Sequence, residues 1–282
     1  MSQKEIFKDK ALGSLWGLAI GDALGAWLEF ADKDHHLQVT EYMDGGPHGL
    51  EAGDWTDDTA MTLAVCDSLK NGEVDLDGIM RNFCRWMNDG EYSSNGKCFD
   101  IGFATETALK QFAKTGRHST VNSRSKGNGS LMRLAPSVVY AFAHGKDINA
   151  VFAISDLTHR NQYIRRCVKT MANVMFDHFD SVKSGKGIGY TTREKCNPDG
   201  LAECTLKCAL WAFWDSKTFD EGLLKAVNLG GDADTIGAVY GQIAGAWHGL
   251  KGIPSKWING LKRREYLDNM FNSLVDDCIK LL

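Results

Sequence analysis

The segment GSLWGLAIGDALG, residues 13–25, carries a glycine at every fourth position of a mostly apolar stretch. A second segment, GAVYGQIAGAWHG at residues 237–249, has the same glycine spacing. Because residues four apart lie on one face of a helix, each segment would present a flat stripe of glycines. Glycine within a helix costs about 1 kcal/mol relative to alanine, so both stripes need a compensating gain. They predict two central helices whose backbones pack closely together.

Helical periodicity extends along the rest of the chain, which has 30 glycines but only 4 prolines. Apolar residues recur at helical spacing within residues 79–87, 168–176, 201–213 and 266–279, whereas signals for strands are weak. Typical helix and loop lengths then predict roughly ten helices. No linker composition marks an internal boundary. We therefore expect an all-α fold, a compact single-domain orthogonal helical bundle over residues 1–282.

The composition of the 282 residues argues against several classes of protein. High glycine content without proline is not typical of collagen or disordered chains, and a net charge of −4 disfavours nucleic-acid binding. The first ten residues do not resemble a signal peptide, and the longest uncharged apolar stretch, residues 236–250, is too short to span a bilayer comfortably. Eight scattered cysteines indicate reduced thiols rather than a zinc site. We expect a cytoplasmic monomer that binds neither membranes nor nucleic acids.

Two clusters of acid and hydroxyl residues each stand where an apolar helical pattern begins. They contain Thr56, Asp57 and Asp58 in the first, and Asp232, Asp234 and Thr235 in the second. One interpretation is helix capping, with Thr56 as an N-cap and the acids complementing the helix dipole. Four carboxylates in one place, however, would repel one another unless a cation neutralised them. Hard oxygen ligands suit Mg²⁺ or Mn²⁺, and a two-ion site can activate water and polarise a substrate oxygen.

Glu29 lies close after the first glycine-striped segment. Asp22 and Glu29 are seven residues apart, so one continuous helix would place them on roughly the same face. The apolar pair Trp27 and Leu28 precedes Glu29, and burial there would raise the pKa of Glu29 and suit a general acid or base. The alternative is a surface glutamate at a helix end, which the spacing alone favours.

Three further features are candidates for substrate contacts. Residues 125–133 (SKGNGSLMR) form a loop that enters an apolar run, and such a loop can hold a phosphate at a helix start or be an ordinary turn. The spacing of a Walker loop is missing. Asp100 could be a helix cap or an acid of the site. His159 could be a substrate contact, although a lone histidine favours a structural role.

Five segments along the chain carry a recognisable pattern in a fixed order. They are GDALGAWLEF (21–30), WTDDTAM (55–61), FDIG (99–102), GNGSLMR (127–133) and GGDADTIGA (230–238). Together the segments resemble the ADP-ribosylglycohydrolase family, in the group that includes the dinitrogenase-reductase-activating glycohydrolase. The resemblance implies an all-α fold with two divalent cations, Mg²⁺ or Mn²⁺. It also implies a hydrolase that cleaves the glycosidic bond between the distal ribose of ADP-ribose and a modified side chain, with arginine as the expected linkage.

The resemblance further implies a role for each matched residue. The two metal ions would be held by Thr56, Asp57, Asp58, Asp232, Asp234 and Thr235. Glu29 would act beside the metals as the acid–base or gating carboxylate, and Asp100 would approach the distal ribose. The diphosphate would lie on a loop made of Gly127, Asn128, Gly129 and Ser130. His159 would flank the ADP-ribose.

One position departs from the family pattern. Leu201 stands where the family often has an aromatic residue that could stack on the adenine, whereas Lys126 adds a positive charge that would favour a diphosphate.

The substrate would be an ADP-ribosylated protein or an ADP-ribosyl small molecule. Two alternatives are a metal-dependent nucleotide phosphohydrolase, which would release phosphate or AMP, and a non-catalytic ADP-ribose-binding protein. The complete set of acids and hydroxyls favours the glycohydrolase.

Overall fold

Helices make up most of the computed structural model, which describes residues 2–69, 73–119, 122–186 and 191–282. The α-helices in that part of the chain are α1 Gln3–Gly25, α2 Asp57–Leu69, α3 Leu76–Asp89, α4 Phe103–Thr115, α5 Ala135–Ala143, α6 Ile148–His159, α7 Gln162–Phe179, α8 Ala202–Trp214, α9 Phe219–Val227, α10 Ala233–His248, α11 Ser255–Gly260 and α12 Arg264–Leu281. Within the described residues no strand forms, and the only β pairings are isolated bridges. The predicted all-α fold is therefore confirmed, with twelve α-helices among the described residues in place of roughly ten.

The two glycine stripes lie against each other, as predicted. A Cβ atom added to Gly17 would come within 2.2 Å of the Gly241 carbonyl oxygen, and one added to Gly21 within 2.1 Å of the Gly237 oxygen. These contacts run antiparallel between α1 and α10, and they leave no room for a side chain larger than hydrogen. We call this contact between α1 and α10 the glycine seam.

The ends of the glycine seam differ slightly from the expected pattern. Gly249 lies just outside α10, because its left-handed backbone (φ 73°) ends the helix at His248. At the other end Gly25 faces Ala233 rather than a glycine. The antiparallel arrangement therefore brings the C-terminal end of α1 beside the N-terminal end of α10, and this is where the acidic residues of both segments meet.

Helix α1 and the turn after it resemble a membrane-spanning helix in length and apolar composition. Residues Gln3–Leu28 are long and apolar enough to cross a membrane by length and composition, with a mean hydropathy of 1.3, but 94% of their 18-residue apolar window is buried inside the fold. Its burial follows from its position, since α1 packs against α10, α12 and α2. The same packing buries the stretch predicted to be a core helix, residues 236–250, most of which lies in α10.

The expectation that Asp22 and Glu29 share one helix face is wrong. Helix α1 ends at Gly25, a 3₁₀ turn covers Ala26–Leu28, and Glu29 follows with an extended backbone (ψ 135°). The chain is then tied to the second acidic segment, because the Phe30 N–H donates to the Gly231 carbonyl at 2.7 Å. Glu29 therefore reaches the site through this connection and not through helical spacing.

Candidate active site

The N-terminus of α2 is capped by a residue from another helix. The Asp22 carboxylate of α1 accepts hydrogen bonds from the backbone N–H groups of Thr56 and Thr59, both at 2.9 Å, and from the Thr59 hydroxyl at 2.6 Å. Thr56 stands directly before α2, as expected of an N-cap, but the capping acceptor is Asp22. The Thr56 hydroxyl faces carboxylates instead, lying 3.3 Å from Asp234 Oδ2.

The N-terminus of α10 lies next to the N-terminus of α2. Asp232 precedes the helix and makes no side-chain capping bond, while Asp234 Oδ1 accepts from the Thr235 N–H at 2.8 Å. The Thr235 hydroxyl lies 3.4 Å from Asp58 Oδ2. The structure therefore joins the two predicted groups of acid and hydroxyl residues into one acidic cluster: Thr56, Asp57, Asp58, Asp232, Asp234 and Thr235.

The electrostatics of the acidic cluster are unfavourable for bare carboxylates. Burial, reinforced by neighbouring carboxylates, raises the pKa of Asp57, Asp58 and Asp234 well above the ordinary value. The buried Asp58 Oδ1 has no hydrogen-bond partner. Oxygen atoms of Glu29, Asp232 and Asp234 lie within 4.8 Å of one another, close enough to share an ion. Closely spaced carboxylate oxygens with an unused acceptor fit a hard divalent cation such as Mg²⁺ or Mn²⁺.

Glu29 lies at the edge of the acidic cluster in contact with His48. The His48 Nε2 atom makes a short hydrogen bond to the Glu29 carboxylate and lies 3.8 Å from Asp100 Oδ1. Glu29 is buried, in contrast to the surface glutamate that its spacing alone favoured. Burial raises the pKa of Glu29 and raises that of Asp100 to about 7. The hydrogen bond that His48 donates to the Glu29 carboxylate raises the pKa of His48. His48 is not among the residues predicted from the sequence; its position in Gly-Gly-Pro-His-Gly, eight residues before Thr56, is the signal that could have identified it.

The glycine loop lies beside the acidic cluster. The Asn128 amide donates to Asp232 Oδ2 at 2.6 Å, which links the loop directly to a predicted metal ligand. A Cβ on Gly129 would come within 2.9 Å of His159 Cε1, so this glycine allows the imidazole to approach the loop. The loop is not at a helix start, however, because α5 begins only at Ala135. Gln242 of α10 holds the intervening turn by bonding to the Met132 carbonyl and the Ala135 N–H.

Ser130 differs from the other predicted substrate contacts. Its side chain is fully buried and bonds to Ser155 of α6 at 2.9 Å. It does not line the cavity over the loop, because the turn that follows Gly129 directs this side chain into the core. Only the backbone of Ser130 could contact the diphosphate.

A cavity of about 910 Å³ joins these groups. Among the residues predicted from the sequence, those lining it are Glu29, Asp57, Asp100, Gly127, Asn128, Gly129, His159, Asp232 and Thr235. Thr56, Asp58 and Asp234 lie buried beneath its floor. The cavity therefore runs from the acidic cluster to the glycine loop and can hold an elongated polar ligand with one end over the carboxylates.

A comparison of the sequence with models of protein families identifies the family to which this site belongs. The model described as ADP-ribosylglycohydrolase matches residues 3–175 and 163–281. The chain belongs to the ADP-ribosylglycohydrolase family. The resemblance inferred from the five motifs is thereby confirmed.

Individual members of the ADP-ribosylglycohydrolase family match over most of the chain. One relative is the ADP-ribosylarginine hydrolase Tri1 of Serratia proteamaculans, 35% identical over 94% of this chain and 79% of its own length. Another is the ADP-ribosyl-[dinitrogen reductase] glycohydrolase of Rhodospirillum rubrum, 31% identical over 90% of each chain. A solved structure titled "ADP-ribosylglycohydrolase-related protein complex" superposes with a TM-score of 0.81 at 33% identity, covering 96% of this chain and 99% of that one.

The departure from the family pattern at Leu201 lies at the outer side of the cavity. Leu201 immediately precedes α8 and is 40% exposed, and its backbone forms an isolated bridge with Gly127. The Lys126 ammonium lies 5.3 Å from the centre of the Tyr163 ring. Neither side chain lines the cavity.

Proposed function

We propose that this ADP-ribosylglycohydrolase releases ADP-ribose from ADP-ribosylated arginine side chains of a protein or small-molecule substrate. The observation that carries the proposal is the single cavity that connects a glycine loop, suited to a diphosphate, with a buried set of carboxylates and hydroxyls. The relatives named for ADP-ribosylarginine and for ADP-ribosylated dinitrogen reductase support an ADP-ribosylated substrate.

The acidic cluster would hold the metal ions of the reaction. Asp57, Asp58 and Thr56 would supply oxygen ligands from the start of α2, and the other ligands would come from the start of α10. Bound Mg²⁺ or Mn²⁺ would supply Lewis acidity and a lowered pKa for water at neutral pH. The glycine seam fixes α10 against α1, and Asp22 of α1 caps the N-terminus of α2. The two helix starts that carry the ligands are therefore both held by α1.

Glu29 would handle the proton of the leaving group. Its raised pKa increases the fraction of Glu29 that is protonated near neutral pH, which suits donation to the departing guanidino nitrogen. The bond to His48 restricts the orientation of the Glu29 carboxylate. Asp100, which has a left-handed backbone conformation (φ 58°) and lies near the same His48 nitrogen as Glu29, would accept a hydrogen bond from a ribose hydroxyl.

A chain of hydrogen bonds fixes the proton position on His159. The buried Arg133 guanidinium donates to the Thr158 hydroxyl at 2.7 Å, so the Thr158 proton is free to go to His159 Nδ1 at 2.8 Å. Burial lowers the pKa of His159 to about 3, which keeps the ring neutral. A neutral ring that accepts at Nδ1 carries its proton on Nε2, the atom facing the glycine loop. His159 would therefore donate a hydrogen bond to the diphosphate.

The substitution Asp234→Asn tests the proposal. It keeps the side-chain shape but removes one charge from the acidic cluster, so hydrolysis of an ADP-ribosyl-arginine peptide should fall more than about 100-fold and Mg²⁺ or Mn²⁺ affinity should fall with it. Asp220→Asn, on the exposed face of α9, is the matched control and should retain wild-type activity.

Product analysis separates the alternatives. Intact ADP-ribose and restored arginine are the expected products. Release of phosphate or AMP would favour the nucleotide phosphohydrolase, and ADP-ribose binding without turnover of any linkage would favour the non-catalytic reader. Undiminished activity of Asp234→Asn, or of the wild-type protein in excess chelator, would contradict the two-metal assignment.

A further inference from the structure

Two phenylalanine rings at the cavity are unusually exposed. Phe30 is 69% exposed and Phe103 is 84% exposed, yet both line the cavity of the site. Isolated exposed apolar residues are common on protein surfaces, but two exposed aromatic rings that line one cavity form a binding feature. We call Phe30 and Phe103 the aromatic rim.

The backbone holds Phe30 in an uncommon conformation. Its φ of 62° lies in the left-handed region, where a bulky side chain is a genuine outlier. The conformation is maintained because Phe30 donates to Gly231 and Gly231 donates back to the Ala31 carbonyl, at 2.7 and 2.8 Å. Strain that the surroundings enforce at a site is a reason to look for a function of the strained residue. Here the enforced residue is an aromatic ring directly after Glu29.

The aromatic rim lies close in sequence to the carboxylates that would face the distal ribose. Phe103 is the first residue of α4 and follows Asp100 by three positions. The His48 ring, which contacts Glu29, has its centre 6.2 Å from that of Phe30 and 5.3 Å from that of Phe99. The Phe30 ring therefore lies beside the His48–Glu29 pair, and Phe103 lines the same cavity from the first turn of α4.

We propose that the aromatic rim binds the guanidinium group of the arginine being released, and thereby selects arginine linkages. This inference rests on the proposed function. A guanidinium is planar, weakly hydrated and positively charged, so it stacks on aromatic faces while nearby carboxylates complement its charge. An uncharged leaving group, such as a serine hydroxyl, gains neither interaction. Phe30 and Phe103 are thus specificity-determining residues for the leaving group.

The test replaces each ring by an apolar side chain without a π face. Phe103→Leu and Phe30→Leu should each lower kcat/KM for an ADP-ribosyl-arginine peptide about fivefold, chiefly through KM. Phe103→Tyr and Phe30→Tyr keep an aromatic face and should retain most of the wild-type value. The dissociation constant of free ADP-ribose, which lacks the guanidinium, should remain unchanged in all four variants when measured by calorimetry.

The outcomes distinguish this inference from the proposed function. If the wild-type protein hydrolyses ADP-ribosyl-arginine and both leucine variants keep full kcat/KM, the aromatic rim does not bind the guanidinium and the proposed function stands. An equal loss of affinity for free ADP-ribose would also overturn the inference, because the rings would then serve the ADP-ribose moiety. If the wild-type protein binds ADP-ribose but cleaves no arginine linkage, both proposals fail together. Thermal unfolding of each variant checks that it is folded.

Discussion

The glycine seam, between α1 and α10, and the acidic cluster, at the starts of α2 and α10, share one helix but are built in opposite ways. In the seam, Gly17 and Gly241 bring two backbones together with no side chain between them. At the cluster, Asp58 and Asp234 bring charged side chains together, and burial raises the pKa of both well above the ordinary value. Close packing favours the first contact, whereas desolvation and repulsion oppose the second. The comparison indicates that the seam provides the stability with which the fold holds an otherwise unfavourable cluster in place.

The largest expected effect is at the seam itself. Gly241→Ala adds a Cβ only 1.9 Å from the Gly17 carbonyl oxygen, and backbone on both sides leaves nothing flexible to move. We expect a loss of more than about 3 kcal/mol in the free energy of unfolding, despite the better helix propensity of alanine. Chemical denaturation measures it, with Gly102→Ala as the control, since no atom lies within 4 Å of a Cβ there. If Gly241→Ala were as stable as the wild-type protein, the glycine seam would not be a source of stability for the fold.

The next effect concerns Asp22, which links the seam to the cluster. Asp22→Ala leaves the N–H groups of Thr56 and Thr59 without their acceptor in a buried position. Unpaired buried donors predict a loss of about 2–4 kcal/mol in the free energy of unfolding, together with weaker Mg²⁺ or Mn²⁺ binding. Calorimetry of both properties tests the link. Unchanged metal affinity would show that the start of α2 keeps its position without Asp22.

The pH dependence of the Tm of the metal-free protein tests whether burial of the carboxylates at the site is unfavourable. Burial raises the pKa of Asp22 to about 6 and that of Asp100 to about 7, from 3.8 for a free side chain. A carboxyl whose pKa is raised by folding stabilises the fold at low pH and loses that contribution as the pH rises through the folded value. Between about pH 4 and pH 7, Tm in chelator should therefore fall by roughly 5–10 °C.

Two controls accompany the pH measurement. Saturating Mg²⁺ or Mn²⁺ should remove most of the decline, because bound cations favour the charged carboxylates. Asp100→Asn should flatten the curve, whereas Asp220→Asn should leave its slope unchanged. A Tm in chelator that rises over this range would contradict the raised pKa values.

The smallest expected effect is at Gly129, where the close neighbour is a side chain. Gly129→Ala places a Cβ 2.9 Å from His159 Cε1, and the imidazole can shift where the seam backbone cannot. We expect the free energy of unfolding to fall by about 1 kcal/mol or less. The affinity for ADP-ribose should fall clearly, because His159 moves. A stability loss as large as that of Gly241→Ala would mean that the loop is as rigid as the seam.

Much of the site could be predicted because its chemistry is local in the sequence. The pairs Asp57–Asp58 and Asp232–Asp234 each follow a helix-start pattern, and both groups of ligands lie together in the structure. His48 could not be predicted in this way, since its importance comes from contacts with Glu29 and Asp100, which are 19 and 52 positions away. The proposed substrate role of Ser130 also depended on orientation, and the turn after Gly129 buries this side chain.

The sequence by itself determined the all-α class, the two glycine stripes and the acid and hydroxyl residues of the cluster, because four-residue spacing and helix-start chemistry are properties of neighbouring residues. Only the tertiary structure decided that α1 and α10 run antiparallel, that Asp22 caps α2, and that Phe30 and Phe103 flank the same opening. These relations join segments far apart in the chain. They depend on which surfaces pack against which, and a hydrophobic pattern indicates that a face is buried without indicating its partner.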